Sequence, residues 1–87
     1  MVLTHHAQKR SQQRCITMNE IHLILEFGKS KHKPGGAIEY GVQHKNLQKL
    51  MFENKNWKKI EKLKNKRVVM IDEVIVTVYH RTNKERN

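Results

Sequence analysis

The chain is poor in the residues that cross-link a fold or bind a metal. Its 87 residues include one cysteine, Cys15, and one proline. A lone cysteine cannot close an intramolecular disulfide, and the histidines do not pair with it at the spacing of a structural zinc site. The sequence therefore predicts a reduced, cytoplasmic protein that holds no metal and needs no cofactor.

Long apolar runs are also lacking. No segment approaches the roughly 18 apolar residues that span a bilayer, and the first ten, MVLTHHAQKR, have no apolar signal-peptide core. We expect neither export nor membrane contact. No segment of about 20 to 50 residues repeats, which excludes solenoids and propellers.

Acidic residues are scarce, and this shortage carries the most information about function. Eight aspartates and glutamates face 18 lysines and arginines, which leaves a formal charge of +10. A monomeric domain rarely carries such a self-repelling charge without a polyanionic partner. We therefore expect a nucleic acid, above all RNA, as the partner of a monomer or weak homodimer, the latter through an exposed strand edge.

Residues 1–87 suffice for one small domain, and its first third predicts two helices. Thr4 can cap a helix that runs to about residue 14. Thr17 and Glu20 have the spacing of a capping box, and the helix that they start, MNEIHLILEF, ends at Gly28. Its broad apolar side predicts that it lies across a sheet.

The middle of the chain changes pattern three times. Residues 29–36, KSKHKPGG, predict a loop or the start of a hairpin. Residues 37–44 alternate apolar and polar side chains, which indicates a short strand. Residues 45–66 return to helical spacing, with lysines that can all project into solvent.

The C-terminal stretch carries the clearest strand signal. KRVVMI and VIVTVYH, separated by Asp72 and Glu73, predict a tight antiparallel hairpin. Alternation along the second strand assigns one set of side chains to the core, Val74, Val76 and Val78. The open face then receives Thr77, Tyr79 and Arg81. Together the elements predict an α+β fold, with N-terminal helices on one face of a small antiparallel sheet.

Three separated patterns carry a family resemblance. HAxxRxxxRxI runs from His6 to Ile16, the second predicted helix ends in Phe27-Gly28, and VTVYHR closes the last strand at residues 76–81. Their order resembles an uncharacterised bacterial domain family that is similar to the barnase, EndoU, colicin and RelE ribonucleases. The resemblance implies a RelE-like fold, a toxin-like endoribonuclease and an acidic antitoxin protein as partner. Cys15 departs from it by standing where the family turns on glycine, so we expect another way of bending there.

Metal-independent RNA cleavage needs a base for the ribose hydroxyl, cations for the phosphate and an acid for the leaving oxygen. Histidine titrates near neutral pH, and the arginine fork binds two phosphate oxygens at once. The catalytic candidates are His6 and His80 as acid and base, Arg10 and Arg81 as phosphate clamps, and Tyr79 as an orienting or stacking group. The candidate substrate-binding residues are Arg14, Thr77, Lys31 and Lys33.

Each candidate also has a structural interpretation. His6 can be a surface residue of the first helical turn, Arg14 can bond backbone carbonyls, and His80 can simply end a strand. The lysines of residues 29–36 can be a solvated connector. For the whole chain, the alternatives are a noncatalytic RNA- or DNA-binding module that uses the same basic face, and a domain that meets an acidic protein. Scattered carboxylates disfavour two-metal cleavage.

Overall fold

The fold is taken from a computed structural model, which describes residues 2–43, 48–49, 52, 58 and 61–81. Most of the predicted helical stretch 45–66 lies outside the described residues. The α+β class is confirmed. In chain order the elements are β1 (Val2–Leu3), α1 (His5–Gln13), α2 (Met18–Phe27), β2 (Lys29–Lys33), a 3-10 turn (Pro34–Gly36), β3 (Ala37–Gly41), β4 (Lys66–Ile71) and β5 (Val74–His80).

Both predicted helix starts are confirmed by their capping bonds. The Thr4 hydroxyl accepts the backbone N–H of Ala7 at 3.0 Å at the start of α1. At the start of α2 the Thr17 hydroxyl accepts the Glu20 N–H at 3.1 Å, and the Glu20 carboxylate accepts the Thr17 N–H at 2.9 Å. These bonds satisfy N–H groups that have no partner within the helix.

The connection between the helices corrects the expectation for Cys15. Cys15 itself takes the left-handed conformation, with φ of 55°, so the chain bends there as glycine would bend it. The N–H of Cys15 bonds to the Gln12 carbonyl, and that of Ile16 to the Ser11 carbonyl, at 3.3 and 2.9 Å. This is a Schellman closure of α1 with cysteine in the glycine position.

The sheet has the order β1-β5-β4-β3-β2. The expected antiparallel arrangement holds for three of its four strand pairs, but β1 runs parallel to β5. The C-terminal hairpin is confirmed, and Asp72 and Glu73 have φ of 50° and 66°, the positive values that a two-residue hairpin turn requires.

Of the two predictions for residues 29–36, the loop is wrong for the first five residues, whereas the start of a hairpin is correct. Lys29–Lys33 form β2, and only Pro34–Gly36 make the turn to β3. Lysine has low strand propensity, so backbone pairing with all five residues of Ala37–Gly41 decides the conformation here. The strand predicted over residues 37–44 ends at residue 41.

A β-bulge in β5 changes which of its side chains face the core. Val69 pairs with Thr77 but Met70 pairs with Ile75, which leaves Val76 as the extra residue. Ile75 is consequently fully buried, whereas Val76 is partly exposed. The valine assignment is therefore correct for Val78 and wrong for Val74 and Val76.

The core lies between the helices and one face of the sheet. α1 packs against β5, and α2 packs against β3 and β4. A part-buried ion pair between Glu20 and Lys66 ties α2 to β4. Among the described residues no helix is long and apolar enough to cross a membrane. The buried core members are Ala7, Ile16, Ile21, Ile24, Val42, Leu63, Val68, Ile75 and Val78.

Candidate nucleic-acid interface

The face of the sheet opposite the helices, here called the open face, collects charged side chains from β2, β3 and β4, and from Arg81 just beyond β5. Because side chains alternate along a strand, residues in register share a face. One row across the sheet joins β2 to β5, and the next row lies one pleat away. The rows are Lys29, Gly41, Arg67 and Tyr79, and then Lys31, Glu39, Val69 and Thr77.

A shallow cavity of about 340 Å³ lies on this open face. Five of its lining side chains are cationic and one is a carboxylate, and we call it the basic cavity. Cations at such density repel one another unless an anion lies between them. The lining residues are Lys29, Lys31, Lys33, Glu39, Gly41, Gln43, Arg67, Tyr79 and Arg81.

Arg67 is the most buried charge in the basic cavity, with 9% of the residue exposed. Its Nη1 donates to the backbone carbonyls of Lys64 and Lys66, at 3.2 and 3.0 Å. No carboxylate of the described residues forms an ion pair with it. Burial, and then the charge of Arg81, lower its pKa, and Glu39 offsets part of this effect. A buried cation without a paired anion is costly, so the site favours an incoming anion.

Gly41 on β3 makes room for the Arg67 side chain. A Cβ at residue 41 would lie 2.5 Å from Arg67 Cδ and 2.6 Å from Arg67 Nε, far closer than carbon and nitrogen atoms approach without a bond. The arginine stem therefore passes directly over the glycine backbone. The glycine leaves room for the guanidinium, and the two carbonyl hydrogen bonds hold it there before any ligand arrives.

Tyr79 and Glu39 are linked across β4. The Tyr79 hydroxyl donates to the Glu39 carboxylate, and Lys33 Nζ lies 4.0 Å from the same oxygen. Burial, and then the hydrogen bond and charge of Glu39, raise the pKa of Tyr79 to about 12. The hydroxyl is therefore a proton donor throughout the physiological pH range.

This raised pKa has a measurable consequence. Alkaline titration of tyrosinate absorbance is expected to show a component near pH 12 that disappears in Tyr79→Phe. The folded-state pKa lies above the ordinary value of 10.0, so the stability that the protonated hydroxyl contributes is complete below pH 10 and is lost as the pH rises towards 12. Glu39→Gln should move that component towards pH 10. A Tyr79 component already at pH 10 in the wild type would contradict the hydrogen bond.

The structure brings five of the predicted site residues to one surface. Tyr79, Arg81, Lys31 and Lys33 line the basic cavity. Thr77 lies on the same face, in register with Val69. Alternation along the last strand was sufficient to place the β5 members, because the bulge precedes Thr77.

The other predicted residues lie on the helix side of the sheet. His80 points opposite to Tyr79, and its Nε2–H donates to the Arg14 carbonyl at 2.8 Å. The end of α1 therefore lies against the end of β5, as catalysis by His6 and His80 would require. His6 sits in the first turn of α1, about 12 Å from Arg14 at 1.5 Å per residue. Arg10, on the same helix, reaches Gln13. The structure therefore does not bring the two histidines together or place either in the basic cavity.

The basic cavity also contains five residues that were not predicted from the sequence: Lys29, Glu39, Gly41, Gln43 and Arg67. One signal was available: lysines at residues 29, 31 and 33 repeat with the period of a strand, not of a loop. Arg67 carried no comparable signal, because its burial depends on a glycine 26 positions away in the chain.

Comparisons of the chain with protein-family models, with curated proteins and with solved structures found no match. The resemblance to the RelE-like ribonucleases therefore stays a prediction. Among the described residues, no three histidine, cysteine or acidic side chains are grouped to hold a metal ion.

Proposed function

We propose that this protein binds RNA through the basic cavity, which holds backbone phosphates. The observation that carries the proposal is Arg67: an arginine with 9% of the residue exposed, its guanidinium held by two carbonyls and not ion-paired with any described carboxylate. Its remaining N–H donors suit the oxygens of a phosphate group. Arg81 and three lysines around it supply further positive charge.

The extent of the charge favours a polymer over a small anion. The cationic residues span the open face from the edge strand β2 to Arg81 beyond β5, more than one phosphate can contact. Tyr79 and Thr77 add hydroxyl groups on the same face, which suit the sugar hydroxyls and base edges of RNA. The formal charge of +10 supports the same partner at longer range.

A second candidate function is metal-independent RNA cleavage in the same cavity, favoured by the contact between Tyr79 and Glu39. The Glu39 carboxylate takes the proton of the 2′-hydroxyl, and the 2′-oxygen attacks phosphorus. The bond to the 5′-oxygen breaks as Tyr79 donates its proton, which leaves a 2′,3′-cyclic phosphate and a 5′-hydroxyl. Glu39 then returns its proton to Tyr79 along their hydrogen bond. Arg67 and Arg81 stabilise the charge on the phosphoryl oxygens.

Binding is tested by fluorescence anisotropy of a labelled mixed-sequence RNA at several salt concentrations. Arg81→Ala is expected to weaken binding about tenfold, since a charge-assisted hydrogen bond contributes about 1.5–3 kcal/mol. Lys9→Ala removes one charge from an exposed position of α1 and serves as the matched control. It should change the affinity little. Equal losses in both variants would indicate diffuse attraction instead of a site, and no salt-sensitive binding would refute the proposal.

Cleavage is read from the same mixtures, incubated in excess EDTA, by mass spectrometry of the product ends. Cyclic phosphates that disappear in Tyr79→Phe, and persist in His6→Ala and His80→Ala, support catalysis in the basic cavity. If cyclic phosphates disappear only in His6→Ala or His80→Ala, the catalytic groups lie on the helix side of the sheet. Intact RNA despite binding would make the protein a noncatalytic module.

A further inference from the structure

The edge strand β2 presents three lysines in a line. Lys29, Lys31 and Lys33 occupy alternate positions, and all three line the basic cavity. Ser30 and His32, which alternate with them, face the other way. β2 is the outermost strand on its side of the sheet, so a linear ligand can lie along the lysines without crossing another strand.

The spacing of the lysines suits one form of nucleic acid. Two residues of a strand advance about 6.7 Å, and the phosphates of an extended single strand follow each other on the same scale. An A-form duplex instead carries its phosphates along two curved paths around a deep groove. A row of lysines at this spacing therefore matches consecutive phosphates of an extended strand better than the curved phosphate paths of a rigid duplex.

The row of lysines also leads to the most buried cation. Lys29 shares its register row with Gly41 and Arg67, so a strand that follows the lysines from Lys33 to Lys29 arrives beside the guanidinium. Lys33 is 4.0 Å from the Glu39 carboxylate, which neutralises part of its charge. Lys29 and Lys31 form no ion pair with the described residues.

We infer that Lys29, Lys31 and Lys33 form a track for three consecutive phosphates of an extended, single-stranded RNA whose backbone continues to Arg67. The inference rests on the proposed function and adds to it the strandedness and path of the ligand. Of the three lysines, Lys29 and Lys31 contribute most to binding, because the Glu39 carboxylate competes with the RNA phosphate for Lys33.

The test compares the salt dependence of binding of an unstructured eight-nucleotide RNA with that of the same sequence as a duplex. For single strands, each phosphate contact contributes about 0.7 to the slope of log K against log salt. Lys29→Ala and Lys31→Ala are each expected to lower the slope by about 0.7, and the double variant by about twice as much. Lys9→Ala and Lys62→Ala, which remove exposed lysines elsewhere, should leave it unchanged.

The outcomes separate this inference from the proposed function. Suppose that Arg81→Ala weakens binding, but Lys29→Ala and Lys31→Ala show the same salt slope as Lys9→Ala. The proposal of RNA binding then holds, and the lysine track is overturned. Duplex binding as tight as single-strand binding would also overturn the track. Salt-insensitive or absent binding of both RNAs would refute the track and the proposed function together. The β2 lysines are largely exposed, so thermal melts should show that these variants remain folded.

Discussion

Replacing Gly41 by alanine is expected to lower RNA affinity about tenfold or more, although this substitution removes no charged group. The new Cβ would lie 2.5 Å from Arg67 Cδ, so the arginine must leave its position and its two carbonyl hydrogen bonds. The guanidinium is then no longer held for a phosphate, and the site loses a charge-assisted contact of about 1.5–3 kcal/mol. Overpacking should also lower the free energy of unfolding by about 1–3 kcal/mol.

A double-mutant cycle isolates this effect from general disruption of the fold. Arg67→Ala is expected to lose affinity to a similar extent, and Gly41→Ala should cause no further loss in the Arg67→Ala background. Anisotropy gives the affinities, and a thermal melt of each variant shows that it is folded at the assay temperature. Losses that add in the double variant would mean that Gly41 acts by another route. Wild-type affinity in folded Gly41→Ala would remove Arg67 from the proposed site.

Ile75→Ala is expected to lower the free energy of unfolding by about 2–5 kcal/mol, the range for truncating a large apolar side chain in a core. Ile75 is fully buried and belongs to the same core cluster as Val68 and Val78. Val76→Ala, the neighbouring truncation, should lower it by only about 1 kcal/mol, since Val76 is the partly exposed residue of the bulge.

Urea denaturation of the two variants measures this contrast, with midpoints compared at unchanged m-values. A larger loss of stability for Val76→Ala than for Ile75→Ala would mean that Val76 lies in the core and that side chains alternate regularly along β5. That result would contradict the bulge, which turns Ile75 towards the core. The open-face positions of Thr77 and Tyr79 would stay the same, because they follow the bulge.

Much of the fold could be predicted because its signals are local. The caps at Thr4 and Thr17 are hydrogen bonds between residues three positions apart, and the Asp72–Glu73 turn joins adjacent strands. Alternation after the bulge likewise placed Tyr79 and Arg81 on the open face. In each case the residues that interact are close in sequence, so a short sequence pattern is enough to predict the contact.

Four of the nine predicted site residues lie on the helix side of the sheet, away from the basic cavity. The sequence showed that His6 and His80 have suitable chemistry, but the pleat turns His80 towards the Arg14 carbonyl and α1 keeps His6 on the helix side. The same pleat brings Lys29 and Arg67 together from strands that are far apart in the chain. Residue type alone does not specify which face a side chain occupies.

Composition and short-range hydrogen bonds suffice to specify the charge, both helix starts, the C-terminal hairpin and the α+β class, so all four could be predicted from the sequence. Contacts between distant parts of the chain make lysine-rich residues 29–33 a strand, place Val76 in a bulge and bury Arg67 over Gly41. Those features depend on the register between strands distant in sequence. A shift of one residue in register moves every side chain of a strand to the opposite face.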